Sequence, residues 1–244
     1  MKLFLLAHPD DEIFVLPYLI GDEKKLLVYL TNGVSAEAEP SVLCKRTEEA
    51  RITFEKHIAT LNSEVLWWGV CNMIPEGELH KFLNTTLITE IQNIVKSSEW
   101  KFTEVVTTTF EGAHQDHDSA AVIARRIAKE EKLKLNEIST YPQWHPQFYS
   151  FRMLSPKYPD KEIAIKRVKV IVLASKLMWS YKSQRRTWIG LGLPLLWAYG
   201  FLPYRTSKSR EVGPINSCLY EFRSRREQSE VLRSLSVIAD VQNP

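Results

Sequence analysis

Residues 2–12 read Lys-Leu-Phe-Leu-Leu-Ala-His-Pro-Asp-Asp-Glu. The apolar half of this stretch, Lys2–Leu6, has the length and composition of a buried strand. It runs without a break into His8, Asp10, Asp11 and Glu12, which places four polar groups at the strand's C-terminal end. In open α/β sheets that edge is where ligands bind. A strand needs no carboxylates there for its own stability. Two adjacent aspartates at a buried edge repel each other and lose hydration, so the arrangement calls for compensation. A divalent metal supplies it simply: one aspartate ligates and the other stays free to handle a proton.

A second cluster follows the same plan. Residues 104–110, Glu-Val-Val-Thr-Thr-Thr-Phe, are rich in β-branched residues and read as another buried strand. They lead into Glu111-Gly-Ala-His114-Gln115-Asp116-His117-Asp118, and a helical pattern spans Ser119–Glu131. Strand, polar cluster and helix thus recur in the same order. Were the two strands neighbours in a parallel sheet, His8, Asp11 and His117 would form a two-histidine, one-carboxylate site with open positions for water and substrate. His114, three residues before His117, is near enough to face the same pocket, and is assigned to oxyanion stabilisation or to protonation of a leaving amine. Asp116 is read as orienting a ligand or catalytic histidine. Glu12 is read in the same way, or as a cap of the helix that starts there.

The rest of the first 150 residues alternates. Further strands are expected at Lys25–Leu30, Glu64–Trp68 and Glu137–Tyr141, and further helices at Ile13–Ile20, Ser41–Thr60 and Phe82–Ser97. This predicts an α/β fold, a parallel sheet with helices on both faces. The last third differs. Residues 142–160 scatter prolines among aromatics and read as irregular, and a long helix is expected over Lys161–Gln184. Trp188–Tyr204 then carries no charge over 17 residues but holds two prolines and three glycines, which is short and broken for a membrane-spanning helix. Core packing over the sheet edge, insertion into a membrane interface flanked by Arg185, Arg186, Arg205 and Lys208, and an oligomer contact are the readings open to it.

Charge is distributed unevenly. Residues 1–151 hold 15 Lys and Arg against 22 Asp and Glu, whereas residues 152–226 hold 16 against 4. The basic part is either a solvated helix surface or the contact for an acidic partner: a phosphate on the substrate, or an anionic membrane face. No motif supports nucleic-acid binding. Cys44, Cys71 and Cys218 are odd in number and widely spaced, so neither a disulfide framework nor a cysteine zinc site is expected. The run before His8 is too short for a signal peptide. A reducing, cytoplasmic setting, with or without peripheral membrane contact, fits both observations.

Ala7-His-Pro-Asp-Asp-Glu12 together with His114-x-Asp116-His117 resembles the LmbE-like (PIG-L) de-N-acetylase family, metal-dependent amidases that remove acetyl groups from N-acetylglucosamine-type sugars. Arg46-Thr-Glu-Glu49 resembles its Arg-x-x-Glu helix, Pro75-Glu-Gly-Glu-Leu79 its Pro-Asp-Gly-x-Leu loop, and Lys176 with Ser183-Gln184 a late Lys…Ser-Gln segment. The likeness covers residues 1–185, leaving residues 186–244 as a C-terminal extension, helical or irregular, packed on the same domain. It implies a Rossmann-like fold, zinc held by His8, Asp11 and His117, and Asp10 as general base. Two histidines and a carboxylate also suit Fe(II) or Mn(II). Departures are Glu76 where the family has Asp, Gln115 where many members have Pro, and Pro17 where Gly is common. They bear on substrate identity.

Substrate contacts are assigned to Glu76, to Arg46 (or else an Arg46–Glu49 salt bridge on the helix surface) and to His145, which either reaches the pocket or is structural. Of Trp67 and Trp68, one is expected in the core and the other at the sugar. His57 and His80 read as ordinary surface residues. The activity expected is hydrolysis of the acetamide of a phosphorylated or lipid-linked amino sugar. The alternatives are an amidase for another acyl or thiol-conjugate substrate, and a glycan-binding protein without turnover.

Overall fold

The structure is a computed structural model that describes residues 1–97, 101–140, 153–213 and 227–239. Its centre is a mixed sheet in the order β3-β2-β1-β4-β5-β7-β6. Strands β1 (Lys2–Leu6), β2 (Lys25–Tyr29), β3 (Ser63–Leu66), β4 (Glu104–Thr108) and β5 (Lys134–Ile138) run parallel. β6 (Pro159–Glu162) and β7 (Arg205–Ser207) extend the sheet antiparallel beyond β5.

The parallel strands are apolar on both faces because helices cover both. Successive side chains still divide by parity: Leu3 and Leu5 enter one core, Phe4 and Leu6 the other. On the first face pack α4 (Thr85–Ser97), α5 (Gln115–Glu130) and the late helix Gln228–Ala239, which contributes Val231, Leu235 and Ile238. On the second lie α1 (Leu16–Leu19), α2 (Pro40–Thr53), α6 (Arg167–Ser180) and α7 (Arg185–Phe201). A short α3 (Trp68–Cys71) caps the end of β2 at Gly69, where an added Cβ would collide with the Thr31 backbone.

Three differences from the sequence reading have physical causes. The expected helix Ile13–Ile20 is a 3-10 turn, Asp11–Phe14, followed by α1, which restarts with Pro17 in its first turn. α5 begins at Gln115 rather than Ser119, because His114 serves as its N-cap and accepts from the Asp116 N–H through Nδ1 at 3.2 Å. Asp116 and Asp118 therefore lie in a helical first turn, where negative charge is favoured. Most of Trp188–Tyr204 is one continuous helix, α7, that carries Pro194 internally. The buried face of α7 (Trp188, Leu195, Ala198, Tyr199) joins the second core, so packing offsets the hydrogen bond that proline cannot make. Among the described residues, no helix is long and apolar enough to cross a membrane.

β1 and β4 are paired neighbours, Lys2 opposite Glu104 and Leu5 opposite Thr107. Strand order reverses between them, since the chain moves outward to β2 and β3 before returning to β4. The two polar clusters meet at this switch point.

Candidate active site

Beyond β1 the chain closes a tight turn in which the Asp10 and Asp11 amides both donate to the His8 carbonyl, at 3.0 and 3.2 Å. The turn folds Asp11 back, so that its Oδ2 accepts from the His8 backbone N–H at 2.8 Å. Asp10 takes φ 151°, which L residues seldom adopt, and its carboxyl lines the cavity instead of joining Asp11. His117, in the first turn of α5, brings Nε2 to 3.1 Å from Asp11 Oδ1, while His8 Nδ1 lies 3.4 Å from Asp11 Oδ2.

Each histidine is held from behind by its other ring nitrogen. His8 Nε2 is 3.0 Å from Asp116 Oδ2. His117 Nδ1 is 3.3 Å from Thr140 Oγ1, and that hydroxyl donates to Glu111 Oε1 at 2.7 Å. With those nitrogens protonated toward their partners, His8 Nδ1 and His117 Nε2 are the nitrogens that would offer lone pairs to a metal held beside Asp11. Ligand atoms of His8, Asp11 and His117 all lie within 4.8 Å of one another, and all three residues are buried. Two imidazoles and a carboxylate with outer hydrogen-bond partners are a donor set that fits zinc. Glu111 and Thr140 went unread in the sequence. The position of Glu111, directly after a strand, was the available signal.

Burial pushes the His8 imidazole down, but Asp11 and Asp116 carry it well above the ordinary histidine value. Burial likewise pushes Asp11 up, yet His117 and His8 hold its carboxyl well below the usual carboxylate range. Asp116 is held at about 2 against its own burial, by the His8 hydrogen bond and by His114. Asp10 shows the opposite balance. Burial and the neighbouring Asp11 raise its carboxyl well above normal, opposed by Arg46 and His8. Burial, reinforced by His8, lowers His114 to about 3. His114 is thus neutral with Nδ1 accepting, so Nε2 carries its proton and donates.

A cavity of about 230 Å³ opens over these groups. Asp10, Arg46, Glu76 and His114 line it with the His8–Asp11–His117 group, and α7 with its preceding turn closes one side with Gln184, Thr187, Trp188 and Leu191. The Glu76 carboxylate is 3.8 Å from His114 Nε2. Its loop is anchored from beneath, because Asp116 accepts from the Gly77 N–H at 2.5 Å and the Leu79 N–H at 3.0 Å. Gly77 has φ +85°, which favours glycine. Asp116 therefore orients His8 and fixes the loop that carries Glu76.

Arg46 does not pair with Glu49 as the helix spacing allowed. Glu49 accepts from the Ser183 N–H at 3.0 Å and from the Ser183 hydroxyl. The Gln184 amide, with its oxygen turned toward Arg46, accepts from Nη1 at 2.8 Å. The Arg46-x-x-Glu49 and Ser183-Gln184 segments are thereby one contact, joining α2 to the turn between α6 and α7. Glu12 is fully buried and accepts from Tyr29 OH at 2.8 Å and Tyr181 OH at 2.5 Å. It braces the turn from the second core, and no part of it reaches the cavity.

His145 lies outside the described residues. His80 is buried, not a surface residue, with Nε2 3.6 Å from Glu230. His57 is half-buried and bonded to Ser180 Oγ at 3.1 Å. Trp68 enters the core as one of the pair was expected to, donating to Glu90 at 3.1 Å. Trp67 stacks on Tyr29 with ring centroids 5.0 Å apart, and does not line the cavity.

The sheet, its switch-point clusters and a buried two-histidine, one-carboxylate group beside a free carboxylate define the class of LmbE-like hydrolases. The family model described as PIG-L, GlcNAc-PI de-N-acetylase, matches residues 3–128, and the chain belongs to that family. No curated protein sequence matches it. Solved structures share the fold at low identity. The zinc-inhibited form of teicoplanin deacetylase Orf2 superposes with TM-score 0.57 at 12% identity, covering 84% of this chain and 96% of that one. A deacetylase of teicoplanin biosynthesis in its bog complex gives 0.57 at 15% identity, with 84% and 96% covered. The A40926 pseudoaglycone deacetylase Dbv21 gives 0.56 at 14% identity, with 78% and 84% covered.

Proposed function

We propose that this protein is a zinc-dependent N-deacetylase that hydrolyses the acetamide of an N-acetylglucosamine-type glycoconjugate, carried on a phosphate or lipid. The observation that carries the reading is the pairing of Asp10 with the His8–Asp11–His117 group: a metal-type donor set beside a carboxylate left out of it. A closed structural site has no use for that fourth group. His8, Asp11 and His117 would hold the ion. When bound it supplies Lewis acidity to the amide carbonyl and to the attacking water.

The chain's own residues perform the rest. Burial and the neighbouring Asp11 raise the Asp10 carboxyl above the ordinary carboxylate value, while His117 and His8 hold Asp11 low, so Asp10 is the stronger base of the two aspartates. Water adds to the acetamide carbon as its proton passes to Asp10. The His114 Nε2–H, donated by a neutral ring, faces the developing oxyanion. The C–N bond then breaks, Asp10 returns the proton to nitrogen, and acetic acid leaves the amine, ionising to acetate. Arg46 and Glu76, which line the cavity with Asp10, offer donors and acceptors to sugar hydroxyls or phosphate. Glu76 and Gln115 in place of Asp and Pro tune this sugar contact.

Acetate release by zinc-loaded protein tests the reading. The panel comprises free N-acetylglucosamine and its inositol-linked, nucleotide-linked and polyprenyl-pyrophosphate-linked forms. Chelator-sensitive release from one of them is expected. Silence across the panel with zinc bound would shift the assignment to another acyl group.

A further inference from the structure

We propose that the outer face of the α6–α7 pair is a docking surface for an anionic lipid bilayer. Its first component is the solvent side of α7. Ile189, Leu193, Trp197 and Phe201 recur every four residues along one stripe, and the first two are 79% and 77% exposed and Phe201 69%. A stripe of this length spans about 18 Å. The opposite face of α7 is core, so the helix is apolar all round without being buried all round, a pattern that ordinary solvation does not produce. α6 extends the surface with Val168, Val172 and Trp179, the last 76% exposed. A groove of about 510 Å³ runs between the helices, floored by Met178, Gly192 and Leu196.

Charge selects the occupant. On its other flank α6 borders a second concavity of about 490 Å³, where Lys56, Lys166, Lys169 and Lys176 outnumber the one lining carboxylate, Asp22. None of these four makes an ion pair among the described residues. Lys56 and Lys176 lower the pKa of His57 between them, secondary to its burial, so their charges converge on that hollow. Val172 lines the hollow and lies one turn from Val168 and two turns from Trp179 on α6, so the exposed apolar side chains of α6 run up to the edge of the lysine hollow. Arg185, stacked over Trp179 at 5.4 Å, and Arg186 bound the apolar surface at the start of α7. A second copy of this chain would press lysines against lysines, whereas acidic headgroups would neutralise them while the apolar stripe enters the interface. Tryptophan at the boundary suits the same setting.

The surface also has a place in the catalytic geometry. Trp188 lines both the groove and the cavity over Asp10. Docking would hold the cavity beside the bilayer, where a lipid-carried sugar is presented. That last consequence rests on the proposed deacetylase reading, but the docking itself does not.

Vesicle co-sedimentation of the full chain separates the two. With phosphatidylcholine vesicles containing phosphatidylglycerol the protein should pellet, and with phosphatidylcholine alone it should stay in the supernatant. Lys169→Glu and Lys176→Glu should each weaken binding by at least about fivefold, since a basic residue near an anionic surface contributes about 1 kcal/mol. Leu193→Ser with Ile189→Ser, which alter only exposed side chains, should abolish pelleting while leaving the circular dichroism spectrum unchanged. Equal binding to both vesicle types would overturn the proposal. So would absence of vesicle binding together with a concentration-dependent dimer that the same serine variant dissociates, which would assign the stripe to a second copy. Acetate release from a soluble sugar is read separately, so failure of one claim leaves the other standing.

Discussion

Replacing Asp116 by alanine tests how the site is held together. Its carboxylate is fully buried and receives three hydrogen bonds, from His8 Nε2 at 3.0 Å and from the Gly77 and Leu79 amides at 2.5 and 3.0 Å. Alanine strands all three donors. A buried unsatisfied donor costs about 1–3 kcal/mol, and loss of one partner of a buried ionic pair about 3–5 kcal/mol. Relaxation of the Pro75–Leu79 loop toward solvent recovers part of this, so a loss of about 3–4 kcal/mol is expected by urea unfolding of the metal-free protein. Zinc affinity should fall about 10–100-fold, because His8 loses the partner that orients its ring. Chelator-competition titration reads that number. Asp116→Asn separates the two roles: it still offers an oxygen to a backbone amide but not a charge to His8. It should recover stability more than zinc affinity. Native zinc affinity and native stability in the alanine variant would refute the account of Asp116.

Other expectations follow from neighbouring groups. Removing the His114 donor as His114→Ala should lower kcat about 10²–10³-fold with zinc affinity unchanged, because this ring faces the cavity without belonging to the His8–Asp11–His117 group; steady-state kinetics and metal titration together check it. Burial raises Glu12 from 4.5 to about 7 even though Tyr181 and Tyr29 donate to it. The folded metal-free protein then holds a proton that the unfolded chain releases. This contribution, about 3 kcal/mol at most, is complete below about pH 4.5 and is lost as pH rises through about 7. Glu12→Gln should flatten that slope in unfolding curves taken across the interval. At Gly69 an added Cβ meets the Thr31 backbone, so Gly69→Ala should cost about 1–3 kcal/mol or more in the same assay and slacken the end of β2 next to the site.

The parallel core was legible because its strands are short apolar runs that end in polar clusters, and because two such clusters imply two adjacent strands. β1, β2 and β4 lie within a residue or two of where the sequence puts them. β6 and β7 were not legible. Pro159-Asp-Lys-Glu162 carries none of the β-branched or aromatic residues that mark a strand, and it exists only because β7 offers an edge. α7 was hidden by Pro194 and its three glycines, whose local cost is offset by packing into the second core. His8, Asp11 and His117 are brought together as the two motifs required. The groups behind them are another matter. Thr140, Tyr29 and Tyr181 belong to separate elements, and no local pattern links a threonine after β5 to a histidine on α5. Arg46 and Gln184 were each visible, but their contact was not, since helix spacing pointed Arg46 to Glu49 instead.

The most direct test of the central claim compares native protein with Asp10→Asn, both loaded with zinc and both assayed for acetate release from the best N-acetylglucosamine derivative. Asp10 lies outside the metal group, so the variant should bind zinc stoichiometrically with native affinity and yet lose turnover by about 10²–10⁴-fold, the usual contribution of a positioned base. Full activity in a zinc-loaded Asp10→Asn protein would contradict the assignment, and loss of zinc with loss of activity would show that Asp10 is a ligand and not the base.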